Sequence, residues 1–314
     1  MNIDFTTTAL LESIKRRAMI PASQVLFTDA ELLSVLTEEL HADIVPLILS
    51  VREDFFLYNH DQSIDASENK YAIHARAFGQ KLKDAVLLNS DGKEVDLPRS
   101  NPSSLKKEQS KGTFLSSGPT FYFEGDEVVI YPDTSNLGSM SLRMKIYRRP
   151  NNLVAQSAAG QITAVDTSLK TITLSNLPSA WAAGDDVDVI KGQPGFKSRG
   201  DDQDVASIVT ATKTLTMTAA IPDGTAVGDW VSLAGDSPIP QIPYEVHNIL
   251  AQRGAIKVLE SLGDASGLQA AADVYTDMVD KFKITVTPRA DDSPKRLVSS
   301  SPLFGDNGRS SGWW

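Results

Sequence analysis

Two stretches of the chain, 43 to 44 residues apart, carry the same pattern, and this duplication limits what the middle of the molecule can become. Lys170-Thr171-Ile172-Thr173-Leu174 matches Lys213-Thr214-Leu215-Thr216-Met217. Leu177-Pro178 matches Ile221-Pro222, and Ala183-Gly184-Asp185-x-Val187-x-Val189 matches Val227-Gly228-Asp229-x-Val231-x-Leu233. Each copy reads strand, turn, Pro-containing loop, Gly-Asp turn, strand. A solenoid needs about three copies or more, so two copies imply β units that close on each other as one small barrel. The link between them, Lys191 to Asp204, holds three glycines, a proline and mixed charge, and reads as a long exposed loop.

Helical patterns flank this block. Pro238, Pro240 and Pro243 end it, and Val246, Ile249, Leu250, Ile256, Leu259 and Leu262 then fall at roughly helical spacing up to Gly263. A second helix is expected over about Leu268 to Ile284, with Ala271, Val274, Tyr275, Met278, Val279 and Phe282 on one face. Two helices joined by a short Gly-containing link lie antiparallel, and neither can bury its apolar stripe alone. The cover is expected from the other end of the chain. A helix is expected at Ala9–Ala18, stopped before Pro21. Thr28 and Glu31 form a capping box for a longer helix through Leu32, Leu36, Leu40, Ile44, Ile48 and Val51, kinked near residues 42–46 by Pro46.

Between these ends, Asn59–Lys70 is loop-like in composition. Ala75–Leu88 reads either as a short helix or as a strand entering the turn Asn89-Ser90-Asp91-Gly92. Arg99–Lys111 is polar and basic and reads as an exposed loop. Thr120–Pro132 reads as a hairpin turning at Glu124-Gly125-Asp126, and Ser139–Arg148 alternates as a half-buried strand. The three strands are expected to form one small sheet on the helices. The predicted class is α+β: a helical bundle with a small antiparallel sheet, an inserted two-repeat β-barrel-like module and an extended C-terminal tail. Its parts are 1–60 (N-terminal helices), 61–150 (β-rich segment), 151–240 (inserted module), 241–287 (helix pair) and 288–314 (tail).

Composition removes several function classes. A length of 314 residues with 41% hydrophobic residues supports a real core. No stretch approaches the roughly 18 consecutive apolar residues of a membrane span. The N-terminal residues lack a basic start followed by an apolar run, so no secretory signal is expected. With no cysteine, thiolate catalysis, disulfides and Cys-based zinc sites are excluded. A net charge of −10 argues against wrapping nucleic acid through phosphate contacts, yet suits a surface along which nucleic acid slides. The acid excess lies in residues 1–60 (nine acids against four bases) and 151–240 (ten against five). Residues 288–314 are slightly basic (three against four), which favours docking on an acidic partner.

The helix Thr28–Val51, the run Phe123-Glu124-Gly125-Asp126-Glu127-Val128-Val129-Ile130-Tyr131-Pro132 with the strand to Tyr147, and the helix pair leading into Pro288-Arg289 and Ser293-Pro294-Lys295-Arg296-Leu297-Val298 together resemble the head-to-tail adaptor, or neck, proteins of tailed bacteriophages. The nearest group is the tail tubular protein A type of short-tailed phages. About half of the chain carries the likeness, and the repeated β module has no counterpart in that group's common core. The resemblance implies a dodecameric ring between the portal and the tail nozzle, lining the channel through which double-stranded DNA passes. It also implies a C-terminal tail reaching the portal or a neighbouring subunit, and a place in the virion neck after assembly in the host cytoplasm.

The search for chemistry is short. His41, His60, His74 and His247 have no zinc-ligand spacing, Ser116 and Ser117 lie in no G-x-S-x-G, and no phosphate loop is present. Neither a catalytic residue nor a cofactor is assigned. Asp185-Asp186-x-Asp188 and Asp201-Asp202-x-Asp204 are the best oxygen-ligand candidates for Ca²⁺ or Mg²⁺, with solvated turns as the plainer reading and no metal assigned. In the tail, Leu303, Phe304, Trp313 and Trp314 read as anchors for a partner's pockets, with Lys295, Arg296 and Arg309 as cationic contacts. A chance terminus is the other reading of the tryptophans. The expected function is a non-enzymatic virion structural protein. The rivals are a decoration or receptor-binding protein acting through the β module, and a metal-dependent hydrolase.

Overall fold

The computed structural model describes residues 4–20, 26–103, 118–131, 134, 137–192 and 196–286. Pro21, residues 104–111 of the basic loop, Ser116, Ser117 and Pro132 fall outside them. The fold is mixed α+β, with several sheets, one of which closes into a six-stranded barrel.

The helices are α1 (Thr7–Arg17), α2 (Asp29–Glu39), α3 (Val45–Val51), α4 (His247–Leu262) and α5 (Ala265–Val286). Lys15, Arg16 and Arg17 crowd the last turn of α1, where cations oppose the helix dipole. The Thr28–Glu31 capping box starts α2. Pro46 has no N–H to donate, and the chain meets it with a π-helical turn at Leu40–Ile44, where Val45 N–H reaches back to the Leu40 carbonyl. The expected kink is therefore a one-residue bulge just ahead of the proline. Gly263, at φ 72°, ends α4 in the left-handed conformation, and α5 begins two residues later.

Both ends of the chain build one apolar cluster. Leu10 and Ile14 of α1, Leu32 and Leu36 of α2, Ile44, Ile48, and Leu250, Ala255 and Leu259 of α4 are all buried in it, with Phe282 from α5. Gly254 marks the crossing. A Cβ there would lie 2.7 Å from Leu36 Cδ2 and 2.9 Å from Ile14 Cδ1.

The β segment departs from expectation in three places. Strand β1 (Leu57–Ser63) occupies what reads as loop, because its partner rather than its own pattern specifies it. It pairs with β7 (Ser141–Arg148), and Asp61 grips Arg143 across the pair at 2.7 and 2.8 Å. Residues 77–88 form the twelve-residue strand β3 (Ala77–Leu88), not a helix. The expected three-stranded sheet splits in two. One sheet has the order β1-β7-β3-β4, with β4 at Glu94–Asp96. The hairpin β5 (Thr120–Glu124) and β6 (Glu127–Tyr131) instead takes up β2 (Lys70–Ala72).

The barrel runs β10-β13-β12-β11-β14-β9, built from β9 (Gly160–Asp166), β10 (Thr171–Leu174), β11 (Asp186–Ile190), β12 (Ser198–Val209), β13 (Thr214–Met217) and β14 (Trp230–Leu233). Corresponding positions of the duplicated sequence face each other: Ile172 pairs with Leu215, and Asp188 with Ser232. Lys170 and Lys213 both turn at positive φ, 54° and 53°. Their ammonium groups bond the Thr218 and Ser175 carbonyls at 2.9 and 2.7 Å. Asp185 accepts from Ala182 N–H at 2.8 Å, and Asp229 from Ala226 N–H at 3.0 Å. Ile162, Ile172, Val187, Val189, Leu215 and Val231 fill the interior. The link Lys191–Asp204 is not one long exposed loop: from Ser198 onward it is the first half of β12. Two short strands, β8 (Asn152–Leu153) and β15 (Asp236–Ser237), lie side by side in parallel where the chain enters and leaves the barrel.

Two stability predictions follow from the packing. Gly254→Val should lower the denaturant midpoint by the equivalent of about 1–3 kcal/mol through overpacking, although glycine is the poorer helix former. His247, 7% exposed, sits 4.8 Å from the Phe5 ring and 5.0 Å from Phe196, and its Nε2 has no partner. Burial pushes its pKa from 6.5 to about 4. The unfolded chain thus takes a proton before the folded one, so stability is unaffected above pH 6.5 and falls as pH drops towards about 4. The expected loss is roughly 2–4 kcal/mol, and His247→Phe should flatten that part of a stability–pH curve.

Candidate functional site

The most concentrated chemistry lies where the four-stranded sheet, the barrel and the returning chain meet. Arg148 ends β7. Along that strand Leu142, Met144 and Ile146 point into the core, so an inward phase carries the guanidinium under the sheet edge. There it grips Asp201 of β12 with two bonds, Nε to Oδ2 at 2.7 Å and Nη2 to Oδ1 at 2.6 Å. The remaining donors reach Asn151 Oδ1 at 2.8 Å and Gln241 Oε1 at 3.1 Å. Arg76, from the turn between β2 and β3, bonds Asp188 Oδ2 at 2.6 Å and also pairs with Asp202.

Asp188 is the hub, with no exposed surface. Val187 and Val189 face the barrel interior, so Asp188 projects outward onto the sheet. Besides Arg76 it accepts from Asn151 Nδ2 at 2.5 Å, and from the backbone N–H groups of Asp202 and Gly235 at 3.0 Å each. Asp202 holds φ 51° at this point. Non-glycine residues rarely adopt that conformation, and here it aims the Asp202 N–H at Asp188.

Electrostatics follow the bonding. Burial alone would raise the Asp201 pKa, but the hydrogen bond and charge of Arg148 outweigh it and hold the carboxyl below its ordinary value. Burial raises Asp202, and the neighbouring Asp188 and Asp201 add to the rise. His60 of β1 and His74 lie with ring centroids 4.5 Å apart and planes inclined at 56°, and burial lowers both pKa values. His74 Nδ1 accepts from Arg76 N–H at 3.2 Å, which leaves Nε2 facing Asp202 at 3.9 Å.

The two aspartate clusters therefore divide: Asp185 and Asp186 lie at a turn with Asp186 exposed, as the plainer reading has it, and Asp202 and Asp204 are exposed on β12, whereas the side chains of the other two are buried. Asp188 and Asp201 are not in solvated turns, and guanidinium and amide donors already occupy their oxygens. Asp204 accepts from Thr218 Oγ1 at 2.7 Å. Among the described residues no group of three or more His, Asp or Glu is placed to hold a metal, and no helix is long and apolar enough to cross a membrane. Lys295, Arg296, Leu303, Phe304, Arg309, Trp313 and Trp314 lie outside the described residues. Sequence reasoning missed Arg76, Arg148, Asn151 and Gln241. For Arg148 a signal existed: it continues the inward phase of an alternating strand, where a charged residue is out of place.

No protein-family model matches the chain, and no curated protein matches it.

The buried and exposed arginines of β7 provide an internal comparison. Arg148→Met should cost about 3–5 kcal/mol in urea unfolding, because it strands a buried carboxylate. Arg143→Met, whose partners Asp61 and Glu94 are 43% and 42% exposed, should cost less than about 1 kcal/mol.

Proposed function

We propose that this protein is a virion structural component: a ring-forming adaptor of the bacteriophage neck that joins the portal to the tail nozzle. In this reading the chain is a helical bundle made from its two ends. Residues 151–240 are an inserted module of two β repeats related by an approximate two-fold axis. Residues 288–314 are the tether to the portal or to a neighbouring subunit. The acid excess of the helical and barrel segments keeps passing DNA from adhering.

The observation that carries the reading is the apolar cluster shared by residues 10–56 and 242–282, joined by Leu153 of β8. That organisation is the one the resemblance implies. The joint supports a structural role as well. Its buried charges are spent on one another, Arg148 on Asp201 and Arg76 on Asp188, in a weld rather than a reactive centre. Catalytic groups, in contrast, are left free to meet a substrate.

Native mass spectrometry and electron microscopy of the purified chain, alone and mixed with the portal of its phage, test the proposal. A closed ring of about the portal's own symmetry supports it. A stable trimer overturns it in favour of a receptor-binding role, and a monomer that ignores the portal overturns it outright. Removing residues 299–314 should leave thermal unfolding unchanged while abolishing capture by the portal. Intact capture by the truncated protein would remove the tether from the proposal.

A further inference from the structure

The turn that carries Arg76 to the barrel also carries a histidine whose protonation its own hydrogen bond opposes. His74 precedes Arg76 by two residues, and Arg76 pairs with Asp188 and Asp202 of the barrel. The Arg76 backbone N–H donates to His74 Nδ1 at 3.2 Å. In a neutral imidazole one nitrogen accepts while the other carries the proton, whereas in the imidazolium both donate. The accepting Nδ1 therefore leaves the proton on Nε2, which faces Asp202 Oδ2 at 3.9 Å. A further proton on this ring must go to Nδ1, where it sets two donors face to face and strips the Arg76 N–H of its acceptor.

Charged and titratable groups meet this imidazole from each neighbouring element. From β1, the His60 ring centroid lies 4.5 Å away, so charge on one ring opposes charge on the other. Asp61, next along β1, is held by Arg143. From the barrel, Asp201 and Asp202 favour a charged His74, while Arg148 of β7 and Arg76 of its own turn oppose it. Arg149 and Asp126 line the same open cleft. The aspartates and the two nearest arginines are paired with one another, and loss of water is the largest influence on a side chain only 19% exposed. Burial thus holds both rings below the ordinary histidine value of 6.5. Lifting the turn from the barrel returns water to His74, so the lifted state binds a proton before the closed one. Acid therefore favours lifting.

We infer that the His74–Arg76 turn is an acid-sensitive latch: a proton on His74 releases Arg76 from Asp188 and Asp202 and loosens the barrel's orientation against the four-stranded sheet. Arg148 keeps its two bonds to Asp201, so the barrel loosens and stays in place. Because the paired rings admit one proton between them, the open-to-closed ratio rises by at most about tenfold per pH unit. Both halves of the latch belong to one chain, and the inference stands apart from the adaptor reading.

Native-state hydrogen exchange of the full chain, followed by NMR and corrected for the intrinsic rate at each pH, tests it. The reporters are the Arg76 amide and the Asp202 and Gly235 amides, whose acceptor is Asp188. The Leu174 and Met217 amides, bonded within the barrel, serve as references. From about pH 7.5 to about pH 5, either side of the ordinary histidine value, the reporters should lose protection relative to the references, by up to about tenfold per pH unit. In His74→Asn the amide oxygen replaces Nδ1 as an acceptor that does not titrate, and the relative loss should disappear. Protection that stays level with the references in the wild type overturns the proposal. A loss that persists in His74→Asn also overturns it and assigns the response to Asp202, whose carboxyl burial pushes up. The wild-type ring resonances give a check that needs no variant: His74 must titrate with the midpoint of the protection loss, and a ring that stays neutral throughout overturns the latch.

Discussion

The bidentate grip of Arg148 on Asp201, with Arg76 on Asp188 beside it, orients the barrel against the four-stranded sheet. Along the chain the barrel is entered and left through β8 and β15, a parallel pair of two residues each, and Ile190, Phe196 and Trp230 pack on Phe5 and Ile239 beside it. So short a pair is a weak constraint on orientation. Apolar contact could hold the barrel near the sheet but would tolerate rotation, because the hydrophobic effect is non-directional. A planar guanidinium facing a carboxylate does not tolerate it. Desolvating such ions costs several kcal/mol each, so the network's contribution is geometry more than net stability. The completeness of its bonding is consistent with that: Asp188 has four donors, one guanidinium, one side-chain amide and two backbone N–H groups.

The duplicated sequence shows where this geometry entered. Matching positions of the two copies make matching bonds: Lys170 with Thr218 and Lys213 with Ser175, Asp185 with Ala182 and Asp229 with Ala226. The copies diverge at Asp188, which faces Ser232 across the β11–β14 ladder. Asp188 carries the ion network, whereas the Ser232 hydroxyl bonds the Asp236 carbonyl. The first half of β12, with Asp201 and Asp202, likewise extends ahead of the segment that corresponds to β9. What the copies share closes the barrel, and what they do not share attaches it.

Legibility in the sequence followed the range of the forces involved. The Thr28 cap, the stop at Gly263 and the hairpin about Gly125 depend on residues a few places apart, and each could be read directly. Strand β1 could not. Leu-Tyr-Asn-His-Asp-Gln-Ser has no apolar alternation, and its structure is imposed by β7, some eighty residues away. The joint was hidden for the same reason. Arg76, Arg148, Asp188, Asp201 and Gln241 come from five separate segments, and only the phase of Arg148 and the unusual density of aspartates marked any of them beforehand. The aspartates were noticed, but their spacing could not say whether water, a cation or a guanidinium would meet them. Burial decides that, and burial is a property of the assembled fold.

The helical core and the joint constrain each other through the two strands that connect them. Leu153 of β8 is buried in the helical cluster, and its N–H donates to Thr37 Oγ1 of α2 at 3.0 Å. Thr7, at the start of α1, donates from its N–H to the Pro238 carbonyl at 2.8 Å and from its hydroxyl to the Val154 carbonyl at 2.8 Å. One residue of the first helix thus ties the ingoing strand to the outgoing one. Asn151, one residue before β8, sends its side chain to Asp188 and to the Asp236 carbonyl. The short β8–β15 pair is therefore clamped on one side by helices and on the other by buried charge. A movement of the barrel would have to break both, since the residues that end one clamp begin the other. Cooperativity between the modules rests on this continuity, with Asn151, Leu153 and Thr7 acting as its links and no single module holding the arrangement by itself.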